Sequence, residues 1–427
     1  MKYADMDAEA LRATEQRVEQ HLAALRGRNF QIDMTRGKPS AEQLDLTAEM
    51  MTIVGPDDCH GLDGTDYRNY GLGTGIPEAK ALFAAYLEVP PDAVIVGGNS
   101  SLNLMYDALA GAVLYGVPGG DGPWRARAGL KFLCPVPGYD RHFLVCERLG
   151  LTMIPIEMTD EGPDMDHVEA LVAEDAAIKG IWCVPKYSNP TGITYSDRVV
   201  DRLAAMKTAA ADFRIMWDNA YAVHHLGDQR PVLRNIFEAC AAKGTADRPL
   251  MFASTSKISY AGAGLAVMAA SPANIRDAAA KMAVATIGPD KINQLRHVLF
   301  FRDMAGVHAH MDRHRALLAP KFAALDGALE GRLGGKGLAE WTKPEGGYFV
   351  SVDVLDGCAT EAVRLAGEAG LALVPAGATF PYGRDPRDRN IRLAPTMLSL
   401  AEIDRAMDIF CISVERACVA KLRASEG

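Results

Sequence analysis

The chain has 427 residues, of which 54 are Asp or Glu and 45 are Lys or Arg, so its formal net charge at pH 7 is −9. This negative balance argues against a nucleic-acid-binding surface and fits a protein dissolved in the cytoplasm. The length permits a large buried core divided between two domains. The first 20 residues are polar and charged, unlike a signal peptide. No segment approaches the roughly 20 apolar residues of a membrane span, so no membrane association is expected.

A helical pattern opens the chain over residues 5–26, where Leu11, Val18, Leu22 and Leu25 share an apolar face. Downstream, from about residue 77 to about residue 300, apolar strands alternate with helices, which predicts a mainly parallel sheet with crossover helices. The strand candidates are residues 93–97, 130–134, 151–156, 180–184, 213–217, 249–253 and 264–270.

The C-terminal part is predicted to contain one long helix over residues 301–330. It is followed by a strand at 348–353, a helix at 359–369, a strand at 371–374 and a final helix at 399–422. We therefore expect an α/β fold with a large domain, residues 46–300, whose sheet has helices on both faces. Residues 1–45 and 301–427 are expected to form a smaller α+β domain, with the ligand site in the cleft between the two.

Three motifs place polar side chains at the ends of predicted strands. Gly97-Gly-Asn-Ser-Ser101 follows one strand and opens a helical pattern over residues 102–115. Lys186-Tyr-Ser-Asn-Pro-Thr-Gly192 follows another strand, and Ile215-Met-Trp-Asp-Asn-Ala-Tyr221 is a short strand that ends in Asp218. Each motif alone is a common turn or helix cap. Because open α/β sheets bind ligands at the carboxyl ends of their strands, the combination predicts a site.

A fourth motif, Phe252-Ala-Ser-Thr-Ser-Lys-Ile-Ser-Tyr-Ala-Gly-Ala-Gly264, carries Lys257 between an apolar strand and a loop of small residues. A partly desolvated pocket or a nearby cation lowers the pKa of a lysine, and the neutral amine can then form a Schiff base. Ser254 and Ser256 flank the lysine and can hydrogen-bond an anionic group. The motif fits a Schiff-base lysine beside a bound phosphate, although by itself such a motif is more often a solvated lysine in a serine-rich loop.

Taken together, the four motifs resemble the fold-type I aminotransferases, which depend on pyridoxal 5′-phosphate (PLP), and the resemblance covers most of the chain. It implies that Lys257 is the internal aldimine lysine and that Asp218 contacts the pyridine nitrogen of PLP. Asn189 and Tyr221 match the pair that hydrogen-bonds the phenolic oxygen. Tyr139, in Pro135-Val-Pro-Gly-Tyr139, matches the aromatic residue that stacks on the cofactor.

The same resemblance implies residues for the substrate and for a partner chain. Arg392, in Asn390-Ile-Arg-Leu-Ala394, matches the arginine that binds the α-carboxylate of the substrate, and Arg36, Gly37 and Asn189 are expected to contribute to this site. Tyr70 matches the tyrosine that reaches the phosphate of the neighbouring subunit, so a homodimer is expected.

Within that family, the chain looks like the γ subgroup of class I aspartate aminotransferases. The motifs are Thr35-Arg-Gly-Lys-Pro39, Asp66-Tyr-Arg-Asn-Tyr70, Gly98-Asn-Ser-Ser-Leu-Asn103, Trp182-Cys-Val-Pro-Lys-Tyr187 and Thr255-Ser-Lys-Ile-Ser-Tyr-Ala-Gly262. One departure is that the common pattern has a phosphate-binding arginine soon after the lysine, whereas residues 261–266 here read Ala-Gly-Ala-Gly-Leu-Ala. The phosphate is therefore expected to bind backbone N–H groups at a helix N-terminus, together with Asn99, Ser100, Ser101, Ser254 and Ser256.

The resemblance implies a ping-pong transamination between an amino acid and a 2-oxo acid, in which Lys257 carries a 1,3-proton shift. The subgroup points to aspartate and 2-oxoglutarate as substrates. A side-chain carboxylate requires a second cation, for which Arg36, Lys38, Arg141 and Lys186 are candidates.

Two alternatives share part of this evidence. Another PLP enzyme, such as an aromatic or branched-chain aminotransferase or a β-lyase, would keep the same cofactor residues and differ in the side-chain pocket. A PLP-binding transcriptional regulator would carry a winged-helix module before the aminotransferase segment, whereas the residues before Thr35 read as one acidic helix.

Other polar residues are interpreted as structural. The eight cysteines form no Cys-x-x-Cys pair and no zinc spacing, so they are expected to be reduced core residues, and no metal site is expected. His310 and His314 lie four residues apart on a predicted helix, where a solvated face is favoured over a metal site. His224 and His225 are expected to be structural, and Trp217 is expected to pack in the core.

Overall fold

The computed structural model of the protein describes residues 2–424. Its strands are β1 (Ile32–Asp33), β2 (Val94–Val96), β3 (Lys131–Val136), β4 (Thr152–Thr159), β5 (Gly162–Pro163), β6 (Ile178–Cys183), β7 (Arg214–Asp218), β8 (Pro249–Ser254), β9 (Ala266–Ala270), β10 (Ala339–Trp341), β11 (Val350–Val354), β12 (Leu371–Ala372) and β13 (Asn390–Leu393). The α-helices are α1 (Ala8–Arg26), α2 (Ala41–Asp45), α3 (Pro77–Leu87), α4 (Ser101–Tyr115), α5 (Asp140–Arg148), α6 (Met165–Glu174), α7 (Asp197–Ala205), α8 (Ile236–Ala242), α9 (Pro272–Ala285), α10 (Lys291–Phe301), α11 (Met304–Leu333), α12 (Ala359–Glu368) and α13 (Leu400–Ala424).

Eight strands form the central sheet, in the order β2-β9-β8-β7-β6-β3-β4-β5. Pairing is parallel from β8 through β7, β6 and β3 to β4, which confirms the predicted mainly parallel sheet. Strand β9 runs antiparallel to both β8 and β2, and β5 runs antiparallel to β4. Because β2 and β8 both oppose β9, the carboxyl ends of β2, β6, β7 and β8 lie at the same edge of the sheet.

Side chains of the central strands alternate between two hydrophobic clusters. In β7, Ile215 and Trp217 belong to one cluster and Met216 belongs to the other, and in β8 Met251 and Phe252 divide in the same way. Successive side chains of a strand point to opposite faces, so these clusters lie on the two faces of the sheet. This double burial explains why the strands read as continuous apolar runs.

A third hydrophobic cluster joins the N-terminal helix to the C-terminal elements. The apolar face predicted for residues 5–26 is confirmed, because all four of its residues are buried in α1. Three of them pack in this cluster, whose other members come mainly from the second half of α11, β11, α12, β13 and α13. The first half of α11 packs against the central sheet instead, through Val307 and Met311. We propose that the third cluster is the core of the smaller domain expected for residues 1–45 and 301–427.

The long C-terminal helix begins three residues later than predicted. Helix α10 ends at Phe301, and Arg302 adopts a left-handed conformation with φ of 65°. The Asp303 side chain then caps α11 by accepting a hydrogen bond from the backbone N–H of Gly306 at 2.9 Å. The left-handed residue and the new cap therefore separate α11 from α10, and residue 301, where the predicted helix began, belongs to α10.

One structural interpretation was wrong. His310 and His314 are 4% and 1% exposed, so they do not lie on a solvated helix face. Helix α11 is covered on this side because it runs between the central sheet and the third cluster, a tertiary contact that the charged local sequence does not reveal. The eight cysteines are buried and free of disulfides, as predicted.

Residues 2–424 contain neither a metal-binding cluster nor a membrane-spanning helix. No group of three or more His, Cys, Asp or Glu side chains in this part of the chain is arranged to hold a metal ion. Within the same residues, every helix is too short or too polar to cross a membrane.

Candidate active site

Asp218 ends β7 and is 3% exposed. Its Oδ2 atom lies 3.0 Å from Nε2 of His142. Its Oδ1 atom is also buried, and it has no hydrogen-bond partner among residues 2–424. A buried oxygen without a donor is unfavourable, so Oδ1 is free to accept a hydrogen bond from a ligand.

His142 is a site residue that the sequence interpretation missed. It is 1% exposed on α5, and its ring stacks on that of Trp182, with centroids 4.0 Å apart and planes inclined by 5°. Trp182 donates in turn from Nε1 to Sγ of Cys146 at 3.2 Å. The available signal was a polar residue on the apolar face of a predicted helix, since His142, Val145 and Cys146 are spaced three and four residues apart.

Lys257 and two tyrosines adjoin Asp218. The Nζ atom of Lys257 lies 4.9 Å from the centre of the Tyr221 ring. Burial, assisted by the charge of Asp218, raises the pKa of Tyr221, so its phenol stays protonated and can donate a hydrogen bond. Burial also raises the pKa of Tyr139 to about 12, and the nearby Lys257 partly opposes this shift. The structure thus brings together four residues that the sequence placed in the site.

Arg392 on β13 is 6% exposed and lies over the Phe349 ring, 4.8 Å from its centroid. Its Nη1 atom is 3.4 Å from Oδ1 of Asn189 and 3.3 Å from Oδ1 of Asp140, and its Nη2 atom is 3.4 Å from the Thr35 carbonyl. These distances are long for hydrogen bonds, and Nε has no partner among the described residues. The guanidinium can therefore bind a carboxylate by donating two parallel hydrogen bonds.

The N-terminal segment approaches Arg392 through Gly37. A Cβ atom at Gly37 would lie 2.7 Å from Cζ of Phe349, so only glycine permits this close packing. The neighbouring Arg36 is exposed. The predicted substrate residues Gly37 and Arg392 therefore both adjoin the Phe349 ring.

The remaining candidate cations differ in burial. Lys38 is exposed and Arg141 is half-buried. Lys186 is 8% exposed, with Nζ 5.8 Å from the centroid of the Tyr187 ring. Burial lowers the pKa of Lys186 to about 8, against a smaller opposing effect of Glu88. Arg36, Lys38 and Arg141 thus keep access to solvent, whereas Lys186 is largely enclosed.

The predicted phosphate end consists of two loops that contact each other. Asn99 donates from Nδ2 to the Gly262 carbonyl at 3.1 Å, and Ser256 donates from Oγ to the Asn99 carbonyl at 3.2 Å. Ser100 precedes α4 without a capping bond from its side chain, and Ser101 begins the helix. The fifth predicted residue, Ser254, is buried at the end of β8. A helix N-terminus with free N–H groups is a favourable anion site.

Tyr70 is separate from the other site residues. It is 80% exposed, and its hydroxyl group makes no hydrogen bond within residues 2–424. Its predicted role requires a second chain.

A surface cleft of about 940 Å³ lies between α6, α7 and α8 and includes none of the predicted site residues. Arg198, Arg202 and Arg234 line it, and each is paired with an acidic side chain. The charges of these arginines are therefore compensated, whereas Lys207 and Lys243 line the cleft without an ion pair among residues 2–424.

Comparison with known proteins agrees with this geometry. The family model for aspartate aminotransferases matches residues 6–426. The chain is 48% identical to a putative aminotransferase of Mycolicibacterium smegmatis over 410 residues, 96% of each chain. It is 44% identical to an aspartate aminotransferase of Corynebacterium glutamicum over 404 residues, which are 95% of this chain and 93% of the relative.

The fold is also that of a solved relative. The structure of an aspartate transaminase from Corynebacterium glutamicum superposes with a TM-score of 0.97 at 43% identity, covering 99% of both chains. The family match, the relatives and the α/β architecture agree, and the chain belongs to the aspartate aminotransferase family of PLP-dependent fold-type I aminotransferases.

Proposed function

We propose that the protein binds PLP at Lys257 and transfers an amino group between aspartate and 2-oxoglutarate. The observation that carries this proposal is the convergence of Lys257, the unpaired Oδ1 atom of Asp218 and the incompletely bonded Arg392. The name of the 44% identical relative, aspartate aminotransferase, supports the choice of substrate.

The residues fit PLP at its ring nitrogen. Oδ1 of Asp218 lacks a donor, and a protonated pyridine nitrogen would supply one. Tyr221 and Asn189 are buried beside this position and would hold the phenolic oxygen, while Tyr139 would cover the ring. When bound, PLP supplies the electron sink that makes the Cα proton of an amino acid acidic.

Three side chains would then have separate roles in the reaction. Asp218 favours the protonated form of the ring nitrogen because a buried carboxylate stabilises a neighbouring cation. Lys257 Nζ accepts the proton from the substrate Cα and returns a proton as a general acid. Arg392 binds the α-carboxylate and thereby orients the Cα–H bond, and its present long contacts with Asp140 and Asn189 would be replaced.

The phosphate would be held without a cationic side chain from residues 261–266. Asn99, Ser100, Ser101, Ser254 and Ser256 would donate to its oxygens, together with the first N–H groups of α4. The negative charge of the phosphate would then lie at the N-terminus of the 15-residue helix α4, where the helix dipole is positive.

The side-chain carboxylate of aspartate requires a further cation. Arg36 and Arg141 are favoured. Arg36 is next to Gly37 and Arg141 is next to Asp140, and both of these neighbours pack near Arg392. Lys186 is disfavoured, because burial lowers its pKa to about 8. Near pH 8 a fraction of the protein molecules would therefore carry a neutral Lys186, which cannot pair with a carboxylate.

A substrate screen tests this proposal. We expect kcat/KM with 2-oxoglutarate to be highest for aspartate, and Arg36→Gln or Arg141→Gln to lower it by about tenfold or more, as expected for a desolvated carboxylate that loses its partner. The same variant should leave kcat/KM for alanine within about twofold, and Lys186→Gln serves as the matched control. A preference of tenfold or more for an aromatic or branched-chain amino acid, or release of a β-substituent, would instead identify one of the alternative PLP enzymes.

We also propose that the protein acts in the cytoplasm as a homodimer. The 80% exposure of Tyr70 supports this, because its hydroxyl would reach the phosphate of the partner. A fully active monomer in analytical ultracentrifugation would contradict the dimer.

A further inference from the structure

Five buried polar side chains lie around the backbone of Lys257 and Ile258, and none has a role in the function proposed above. We call them the lysine-backbone network: Gln43, His224, His310, His314 and Tyr348. Their exposed fractions are 0%, 2%, 4%, 1% and 0%. They come from α2, the segment after β7, α11 and the segment before β11, so four distant parts of the chain meet at one turn.

The network binds two consecutive carbonyl groups. The Lys257 carbonyl accepts from the Tyr348 hydroxyl and from Nε2 of His224, each at 3.3 Å. The Ile258 carbonyl accepts from Nε2 of His310 at 2.8 Å, and Nε2 of His314 lies 3.0 Å from the same nitrogen of His310. Because a carbonyl oxygen has two lone pairs, the Lys257 carbonyl is saturated.

The Gln43 amide sets the direction of the hydrogen bond from Tyr348. It donates one proton to Nδ1 of His314 at 3.0 Å and the other to the Tyr348 hydroxyl at 2.9 Å. Nδ1 of His314 is therefore an acceptor. Tyr348, having accepted from Gln43, directs its own proton to the Lys257 carbonyl.

The three histidines are neutral. Burial lowers the pKa of His224 and His314 to about 3 and also lowers that of His310. Nδ1 of His224 and Nδ1 of His310 have no partner among residues 2–424, so a second proton on either ring would lack an acceptor. The network therefore holds the turn through dipoles, without adding a positive charge beside the Lys257 amine.

We propose that Gln43 and Tyr348 are positioning residues that fix the Lys257–Ile258 peptide, so that the lysine side chain moves during turnover while its backbone does not. This inference rests on the proposed role of Lys257 as base. Its physical basis is that a displacement of about 1 Å in a reacting group can cost a rate up to about 100-fold. The amine lies 4.9 Å from the Tyr221 ring, and a shifted backbone would change that placement directly.

The test compares Tyr348→Phe with Tyr3→Phe. Both tyrosines are buried in the third hydrophobic cluster and donate one hydrogen bond, but Tyr3 donates to Glu415 on α13. Tyr348→Phe should lower kcat about tenfold and leave KM for the amino donor within about twofold, as expected for a misplaced base. Tyr3→Phe should change neither quantity by more than about twofold.

A second readout does not depend on turnover. In cofactor-free protein, the rate at which trinitrobenzenesulfonate labels Lys257 is followed by peptide mass spectrometry across a pH series. We expect Tyr348→Phe to change this rate at least about threefold and Tyr3→Phe to leave it unchanged, because one lost hydrogen bond corresponds to a factor of this size. If wild-type protein had no aminotransferase activity, the labelling result would still decide whether the network positions Lys257.

Gln43→Met provides a second variant of similar volume that lacks the amide. It should lower kcat, as Tyr348→Phe does. If Tyr348→Phe does not fold, Gln43→Met takes its place in the test. Wild-type kcat and wild-type labelling of Lys257 in a folded variant would overturn the proposal. Equal losses in Tyr348→Phe and Tyr3→Phe would also overturn it, since they would indicate a general loss of stability.

Discussion

The two ends of the candidate site hold charge in different ways. At the ring-nitrogen end, Asp218 is 3% exposed and is supported by His142, which stacks on Trp182. At the phosphate end, Asn99 is exposed and Ser100 is half-buried. Two loops and a helix N-terminus form the phosphate end, and residues 261–266 contribute no cation.

This difference indicates that the two ends depend on different parts of the protein. A buried carboxylate interacts strongly because solvent does not screen it, so in the proposed function a single side chain would control the ring-nitrogen end. The phosphate end would spread its interactions over several neutral donors, and the loss of one would be partly compensated by the others. Substitutions should therefore have large effects at Asp218 and small effects at the serines.

The largest effect is expected for Asp218→Ala. Removing the carboxylate should lower kcat by at least about 100-fold, the usual size for loss of an electrostatic group at a reacting centre, and should weaken PLP binding. Asp218→Glu should be milder. Stopped-flow absorbance of the half-reaction with aspartate measures the effect, and Asp212→Asn is the control, because Asp212 is a buried aspartate paired with Lys179. Equal kcat in Asp218→Ala and wild type would contradict the proposed role of Asp218 and would mean that this residue is only a cap.

A smaller effect is expected for His142→Phe, which keeps an aromatic ring against Trp182 and removes the hydrogen bond to Asp218. Loss of a hydrogen bond to a charged group typically costs about 1.5–3 kcal/mol, and the lower value corresponds to a decrease in kcat of about tenfold. The dissociation constant for PLP should also rise, because the Asp218 carboxylate loses the hydrogen bond that orients it. Unchanged kcat and unchanged PLP affinity with reduced thermal stability would mean that His142 serves only packing.

The smallest effect is expected at the phosphate end, for Ser254→Ala. The dissociation constant for PLP should rise by about tenfold or less, whereas kcat at saturating PLP should stay within about twofold of wild type. Ser271→Ala, which alters a buried serine that caps α9, is the control. A loss of kcat comparable to that of Asp218→Ala would remove the contrast between the two ends.

The sequence predicted those strands that are recognisable from their own apolar residues. The seven apolar runs gave strands whose ends differ from the prediction by at most three residues, because strands buried on both faces are apolar throughout. Lys257, Asp218 and Tyr221 follow or belong to such strands. Arg392 lies on β13, a strand that the apolar pattern did not predict, and the fold brings it near Tyr221.

The residues that the sequence did not reveal act through tertiary contacts. His142 becomes part of the site only because α5 packs on the sheet face where Asp218 lies. His310 and His314 looked solvated because charged residues surround them on α11, yet their partners come from α2 and from the turn after β8. Such pairings join residues more than 50 positions apart, and periodicity within one helix carries no information about them.

The most direct test of the central claim is to locate the covalently bound cofactor. Purified protein is saturated with PLP, reduced with borohydride, digested and analysed by peptide mass spectrometry, with Lys257→Ala as the control. We predict one phosphopyridoxyl group on the peptide that contains Lys257, and none on the corresponding peptide of the variant. A reduced cofactor on a different lysine, or no absorbance change when PLP is added to the wild-type protein, would contradict the account.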